Sequence, residues 1–291
     1  MKCPLCFENN VHFFDIYTQE ADKKKCRALK CKKCGLVYLE DYKKDRSKIY
    51  GENYAAWSKS EEATEQLVAK AKKEAFSYQL GLLTKFFDPK NKNLLDIGTG
   101  KGYLLDVAAK KGFDCYGLDI SKYAAKHAEK KFPGKIFIGS LSKAGYKQKF
   151  DVITITAVIE HISDPLSFLS DINKALKPGG YLLVMTPNTN SLIKKVMGKN
   201  WFQYKYEHIT YWNKKSLKFL LGKYDFKMLV CKNNIKRFNL TYYSLYFQRY
   251  SLFGMEKIFL FIYKLLPEFI KKSYFTNPLT SEILVVARKN K

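Results

Sequence analysis

Three groups of residues in this 291-residue chain have the types and spacing to do chemistry. The first is Asp96-Ile97-Gly98-Thr99-Gly100-Lys101-Gly102, which follows the apolar pair Leu94-Leu95. Glycines let a backbone turn tightly and let a ligand approach the main chain. Leu104, Leu105, Ala108 and Ala109 then recur at helical spacing. The segment therefore reads as strand, glycine turn and helix. Such a unit opens a doubly wound sheet and receives a nucleotide-like cofactor at the carboxyl end of its first strand. A dinucleotide fingerprint has glycines at its first, third and sixth places, which seats a pyrophosphate on the helix N-terminus. The alternate glycines here miss that spacing, and Asp96 would place a negative charge beside the pyrophosphate. An anion there suits a cofactor that presents an ammonium or sulfonium group. Asp119 ends the next apolar segment, CYGLDIS, about twenty residues on, where a carboxylate can accept both hydroxyls of a ribose.

The second group is Cys3-Pro-Leu-Cys6 with Cys31-Lys-Lys-Cys34-Gly35, separated by 24 residues. Two such knuckles supply the tetrahedral thiolate set preferred by structural zinc. The spacing predicts a zinc ribbon over 1–45, with VHFFDIY and CRALK as strands of a hairpin. A segment this small has little apolar core, so the metal would supply its folding energy. Cys26 falls off the paired spacing, and His12 is a substitute ligand only if a thiolate is missing. A dithiol redox pair is the competing reading.

The third group lies on the loop after a later strand, Thr156-Ala157-Val158-Ile159-Glu160-His161, which runs on to Asp164-Pro165. His161 is the best-placed base, since an imidazole ordinarily titrates near neutrality; the alternative is a structural histidine bonded to backbone. His208, in KYEHITYWNKKSL, is its rival as base. His127 sits on a surface-type helix.

The glycine segment resembles motif I of class I S-adenosylmethionine (SAM)-dependent methyltransferases. The loop around His161 resembles the EH(I/V)xDP segment of methyltransferases that act on small molecules and glycans. The stretch around His208 resembles the H-x-x-x-(F/W) segment of the same enzymes, which implies that it walls the acceptor pocket and that His208 contacts substrate more readily than it serves as base. This resemblance covers roughly 94–232 plus the final strand. It implies a Rossmann-like α/β fold, doubly wound, with a seven-stranded, mostly parallel sheet whose last strand is antiparallel. It also implies SAM contacts from Asp96, Gly98, Thr99, Gly100, Gly102, Asp119, Ile120, Thr156 and Ala157. Where the family often has an acidic residue for the adenine amine, this chain has Gly139-Ser140-Leu141, which leaves Ser140 or backbone groups for that task. The expected reaction is O-methylation of a small molecule, a sugar or a lipid precursor. The alternatives are an RNA methyltransferase and a non-catalytic SAM-binding module. Neither Asn/Asp-Pro-Pro-aromatic nor a Pro-Cys nucleophile follows the fourth strand, which argues against the chemistry of DNA methylation and of two common RNA types.

Positioning these groups needs alternating elements. The pattern predicts strands at 94–97, 114–119, 135–139, 150–156, 181–188, 226–232 and 281–289. Helices are expected at 101–111, 121–131, from Asp164-Pro165 to Leu176, and near 213–223. KPGG reads as the turn before the fifth strand. A helical lead-in, 46–93, carries a helix from about Glu61 to Phe87 and the aromatic residues Tyr50, Tyr54 and Trp57, which either line the cofactor cleft or cement the ribbon to the domain. The methyltransferase domain, 94–291, carries an aromatic helical insertion at about 240–280. That insertion would cap the cleft, pack a homodimer or lie on a membrane surface.

The net charge is +25, from 52 Lys and Arg against 27 Asp and Glu. It suggests an anionic partner such as nucleic acid or membrane. Only five of the basic residues are arginine (Arg27, Arg46, Arg237, Arg249 and Arg288), and the lysines are scattered. That pattern fits a compositional bias better than a dedicated phosphate reader. No run is long and apolar enough to span a bilayer. The N-terminus carries no leader pattern, so the expected location is the cytoplasm, or peripherally the inner membrane surface.

Overall fold

The computed structural model describes residues 2–18, 24–44, 46, 62–249, 255–277 and 280–290. Tyr50, Tyr54 and Trp57 lie outside them. The chain opens with three strands, β1 (Val11–Tyr17), β2 (Lys25–Cys31) and β3 (Val37–Leu39). The helix α1 (Glu62–Leu83) follows. It ends four residues before the expected Phe87, and Phe86 stacks on Tyr181 with ring centroids 6.2 Å apart.

The central domain then alternates. In order come β4 (Asn93–Ile97), α2 (Tyr103–Lys110), β5 (Asp114–Asp119), α3 (Lys122–Lys131), β6 (Ile136–Ile138), α4 (Leu141–Ala144), β7 (Phe150–Thr156) and α5 (Pro165–Ala175). Asp164 caps α5 by accepting the Ser167 N–H, with Pro165 in the first turn. Next are β8 (Leu176–Pro187), α6 (Leu192–Met197), β9 (Thr210–Tyr211), α7 (Lys214–Gly222) and β10 (Phe226–Asn233). The insertion holds β11 (Lys236–Asn239), α8 (Leu240–Arg249), α9 (Met255–Leu265), α10 (Glu268–Lys272) and β12 (Tyr274–Asn277); β13 (Glu282–Lys289) closes the chain.

The large sheet has seven strands in the order β10-β13-β8-β7-β4-β5-β6. Neighbours from β8 to β6 are parallel, and β13 runs antiparallel to both β8 and β10. The doubly wound expectation therefore holds, antiparallel last strand included. Both faces are buried, as a parallel sheet requires. Leu94, Val152, Leu183 and Leu284 pack with Leu80 and Leu83 of α1 and with Leu104 and Leu105 of α2. The alternate residues Leu95, Ile153, Leu182 and Ile283 pack with Leu169 and Ile172 of α5 and with Leu217 and Leu220 of α7. KPGG is not a free turn. It lies inside β8, with a register shift opposite Phe150 and Val152 that absorbs the positive φ of Gly179.

The ribbon is less independent than its length suggests. Its sheet has four strands, β1-β2-β3-β9, and the fourth comes from the central domain. Val37 and Tyr38 pair antiparallel with Tyr211 and Thr210. Leu5, Ile16, Leu29, Leu36 and Leu39 join the same buried cluster as Trp201, Tyr204, Tyr211 and Trp212. The segment thus borrows an apolar core that its own residues could not build, and metal binding need not supply all of its folding energy.

Candidate functional site

Parallel register brings the carboxyl ends of β4, β5, β6 and β7 to one edge of the sheet. Asp96 stands opposite Thr154 across the β4–β7 ladder, and the Thr154 hydroxyl donates to Asp96 Oδ1 at 2.7 Å. Asp96 is 2% exposed. Burial raises its pKa to about 7, against the opposing Thr154 hydrogen bond. No cationic side chain pairs with it among the described residues. A ligand ammonium or sulfonium would supply the missing charge.

The three glycines after Asp96 have different tasks, and all three have positive φ. At Gly98 a Cβ would stand 2.5 Å from Val158 Cγ2, so the turn and the β7 loop pack backbone to side chain. At Gly102 a Cβ would meet Ala128 of α3 at 3.2 Å. At Gly100 a Cβ would meet nothing within 4 Å, which leaves that backbone open to a ligand. The Gly98 and Thr99 N–H groups both donate to Leu118 O, at 2.7 and 3.1 Å. Asp119 clamps the turn from β5: Oδ2 accepts the Gly100 N–H and Oδ1 accepts the Ser121 N–H, each at 2.8 Å. Burial raises its pKa, and these N–H groups oppose the rise. Each carboxylate oxygen keeps lone-pair capacity for a ribose hydroxyl.

Ile120 is 56% exposed beside this clamp, an apolar surface of the kind a base can cover. Ser140 starts α4, its hydroxyl 3.0 Å from that of Ser142. Thr156 ends β7 half-buried, and Ala157 follows with φ +56°. A left-handed alanine is strained backbone held by its surroundings, here by its N–H bond to Met185 O at 2.9 Å. Glu65 of α1 pairs with Lys101 and accepts from the Tyr103 hydroxyl at 3.3 Å, which pins α1 beside the turn. Every residue of the expected cofactor set therefore lies on this one edge. The buried, cation-free Asp96 and the open Gly100 fit a positively charged nucleoside cofactor.

The surroundings of His161 and His208 are built from distant segments. A short 3-10 helix, Ile159–His161, follows β7. Its backbone is stitched to the approach of β9: the Ile209 N–H donates to Glu160 O at 2.9 Å and the Thr210 hydroxyl to Ile159 O at 3.1 Å. This places His161 and His208 together, with ring centroids 4.9 Å apart and planes at 77°. His161 Nδ1 lies 3.0 Å from Glu207 O, and His208 Nδ1 lies 2.8 Å from Gln203 O. Carbonyls only accept, so Nδ1 carries the proton in both rings and Nε2 carries the lone pair. Burial lowers the His161 pKa to about 4 and takes His208 well below the ordinary value, so both rings are neutral near pH 7. His127 is different. It is exposed on α3, with Nδ1 3.4 Å from Tyr123 O.

The sequence reading assigned no role to Thr154, Glu160 or Thr186. Glu160 is fully buried, accepts the Thr186 hydroxyl at 2.9 Å through Oε2, and has its pKa raised to about 7 by that burial. The available signal was a polar residue among apolar ones, Thr154 inside β7 and Thr186 next to the end of β8.

At the ribbon, the sulfurs of Cys3, Cys6, Cys31 and Cys34 lie within 4.8 Å of one another. Cys3 Sγ is 3.6 Å from Cys34 Sγ, and Cys6 Sγ is 3.4 Å from Cys31 Sγ. Those spacings are near the ~3.8 Å edge of a tetrahedron with 2.3 Å Zn–S bonds. The Cys34 hydrogen bond pulls the Cys3 thiol down to about 5, and burial pushes Cys6 up to about 11. Four sulfur donors at this spacing fit a thiophilic cation. Cys26 pairs with Ile16 across the β1–β2 ladder, and His12 stacks against Phe14; neither belongs to the cluster.

On the insertion, Ile258, Phe261, Ile262, Leu265 and Phe269 are 51–72% exposed at helical spacing. Lys257, Lys264 and Lys272 are exposed among them. Among the described residues no helix is long and apolar enough to cross a membrane.

Residues 68–230 match the family model described as "Methyltransferase domain". Ubiquinone biosynthesis O-methyltransferase from Aliivibrio fischeri is 34% identical over 106 residues, 34% of this chain and 45% of the relative. The enzyme of the same name from Hydrogenovibrio crunogenus is 29% identical over 119 residues, 38% and 49% of the two chains. The chain thus spans about half the length of these relatives. Among solved structures, a Bacillus halodurans protein described as a methyltransferase superposes with TM-score 0.50 at 19% identity, covering 74% of this chain and all of that one. A Galdieria sulphuraria protein described as a sarcosine dimethylglycine methyltransferase gives 0.51 at 14%, covering 79% and 91%.

Proposed function

The chain belongs to the methyltransferase-domain family, and on that premise we propose that it transfers a methyl group from SAM to a hydroxyl of a small-molecule, sugar or lipid acceptor. The observation that carries this reading is the buried, cation-free Asp96 beside the open Gly100 and the Asp119 clamp. Asp96 faces positive charge, the Gly100 backbone admits the cofactor, and Asp119 holds the ribose. The bound cofactor supplies a methyl group activated by its sulfonium, so the protein's task is alignment and exclusion of water. The acceptor hydroxyl loses a proton as its oxygen takes the methyl. His161 and His208, both neutral and both with Nδ1 fixed by a carbonyl, turn their lone-pair nitrogens to that task.

Four thiolates close the coordination sphere of a zinc ion at the ribbon, which makes it a structural site. Through β9 it holds the acceptor side in place. The relatives are named for O-methylation in ubiquinone biosynthesis. That name, together with the exposed apolar row and lysines of α9, favours a lipid-like acceptor met at an anionic membrane surface.

Calorimetry with SAM and with S-adenosylhomocysteine tests the cofactor claim: both are expected to bind, and no heat with either overturns the reading. A screen of phenolic lipids and sugar nucleotides, read by S-adenosylhomocysteine release, then identifies the acceptor class.

A further inference from the structure

We propose that Glu160, His161 and His208 hold a divalent transition-metal ion on the acceptor side of the cleft, separate from the ion of the four cysteines. One carboxylate oxygen of Glu160 and one ring nitrogen from each histidine lie within 4.8 Å of one another. A tetrahedral set with bonds of about 2.0–2.2 Å has edges of about 3.4 Å. Side-chain rotation closes the difference, with the backbone already held by the Ile209–Glu160 and Thr210–Ile159 bonds.

Three features mark the trio as more than a polar knot. First, the ring tautomers are set as a metal site needs them. Metal-ligating histidines give their other N–H to a carbonyl or carboxylate, which aims the ring; here Glu207 O and Gln203 O accept those protons. Second, Glu160 is 0% exposed, and its Oε1 has no hydrogen-bond partner among the described residues. A buried acceptor without a partner is costly, and a cation removes that cost. Third, Oε2 is held by the Thr186 hydroxyl, the outer-shell support that orients a ligating carboxylate.

Two nitrogens and one oxygen suit zinc, cobalt, iron(II) or manganese better than calcium or magnesium, which prefer all-oxygen sets. Three protein ligands also leave an open position. An acceptor hydroxyl that takes it is acidified by the ion, which then replaces the two histidine lone pairs as the means of activating that hydroxyl; this use rests on the methyl-transfer reading, and the ion site itself does not.

The rival is Lys205, whose charge reaches Glu160 and both histidines. If its ammonium alone balances Glu160, no second ion is needed. The two cases separate in the full-length protein, purified without a histidine tag, stripped with a chelator and reloaded with Co²⁺. The proposal expects two ions per chain. One shows the intense near-ultraviolet thiolate-to-cobalt band of the ribbon; the other shows only weak visible bands. Glu160→Gln should lose the second ion and keep the thiolate band and S-adenosylhomocysteine binding. Thr186→Val should weaken the second site by roughly 10–100-fold. One ion per chain in the unaltered protein overturns the proposal, as does a second ion that survives Glu160→Gln. Cofactor binding is read separately. Protein that binds S-adenosylhomocysteine with a single ion loses this site and keeps the methyl-transfer reading, and two ions without cofactor binding do the reverse.

Discussion

The proposed cofactor edge and the proposed acceptor edge follow neighbouring strands, β4 and β7, but are assembled in opposite ways. The cofactor edge is local: Asp96 to Gly102 is one continuous turn, closed by Asp119 through the Gly100 N–H. The acceptor edge joins residues 160–161, Thr186 and 203–210, and is braced from outside by β3 of the ribbon. A local turn carries its geometry in its own glycines. A composite edge depends on every segment that meets there. Perturbations far from both edges should therefore reach the acceptor edge and spare the cofactor edge.

The largest expected effect tests that asymmetry directly. Cys34→Ser removes one of the four proposed zinc ligands and should loosen the β3–β9 pairing. Turnover should fall roughly a hundredfold, as expected when reacting groups are misplaced by about 1 Å, while S-adenosylhomocysteine affinity stays unchanged. Equal losses of turnover and cofactor affinity would erase the distinction between the edges.

The glycine turn offers a second contrast. Gly98→Ala combines a left-handed backbone with a Cβ 2.5 Å from Val158 and should cost about 2–5 kcal/mol of stability by urea denaturation. Gly100→Ala meets open space and should cost only about 1–2 kcal/mol, with its main effect on SAM affinity. A Gly98 variant as stable as the Gly100 variant would contradict the packing described above.

Asp96 adds a pH signature confined to the cofactor edge. Its pKa rises from 3.8 to about 7 on folding, so between those values the native state binds more protons than the unfolded one. Its contribution to the stability of the ligand-free protein is therefore fullest below 3.8, falls as pH rises to about 7, and is level above that. A cationic ligand prefers the ionised carboxylate, so SAM affinity should rise roughly tenfold from about pH 6 to about pH 8. Asp96→Asn should flatten that dependence; an unchanged slope in the variant would locate the titrating group elsewhere.

The smallest expected effect sharpens the acceptor side alone. Leu265→Glu on α9 should weaken binding to anionic phospholipid vesicles by about 2 kcal/mol and leave cofactor affinity untouched. Vesicle binding indifferent to this change would remove α9 from acceptor recognition.

How much could be read beforehand follows the same division. The seven strands of the main sheet were legible because buried parallel strands are short apolar runs bounded by turns. The Asp96 and Asp119 pair was legible because an acid at a strand end beside glycines is a pattern within a few residues. β9 was not, since two residues make no period, and Thr210 and Tyr211 become a strand only when Val37 and Tyr38 lie beside them. The place of Glu160 was not legible either, because its support, Thr186, lies 26 residues away.

The sequence by itself determined the seven strands of the main sheet, the acid–glycine turn and the two cysteine pairs, because each follows from residues close along the chain whose backbone preferences and side-chain periods act locally. Only the tertiary structure decided that the ribbon is braced by a strand of the central domain, that His161 and His208 meet around a buried Glu160, and that one face of α9 stays uncovered. Those outcomes depend on which distant surfaces exclude water together, and no short stretch of sequence encodes that.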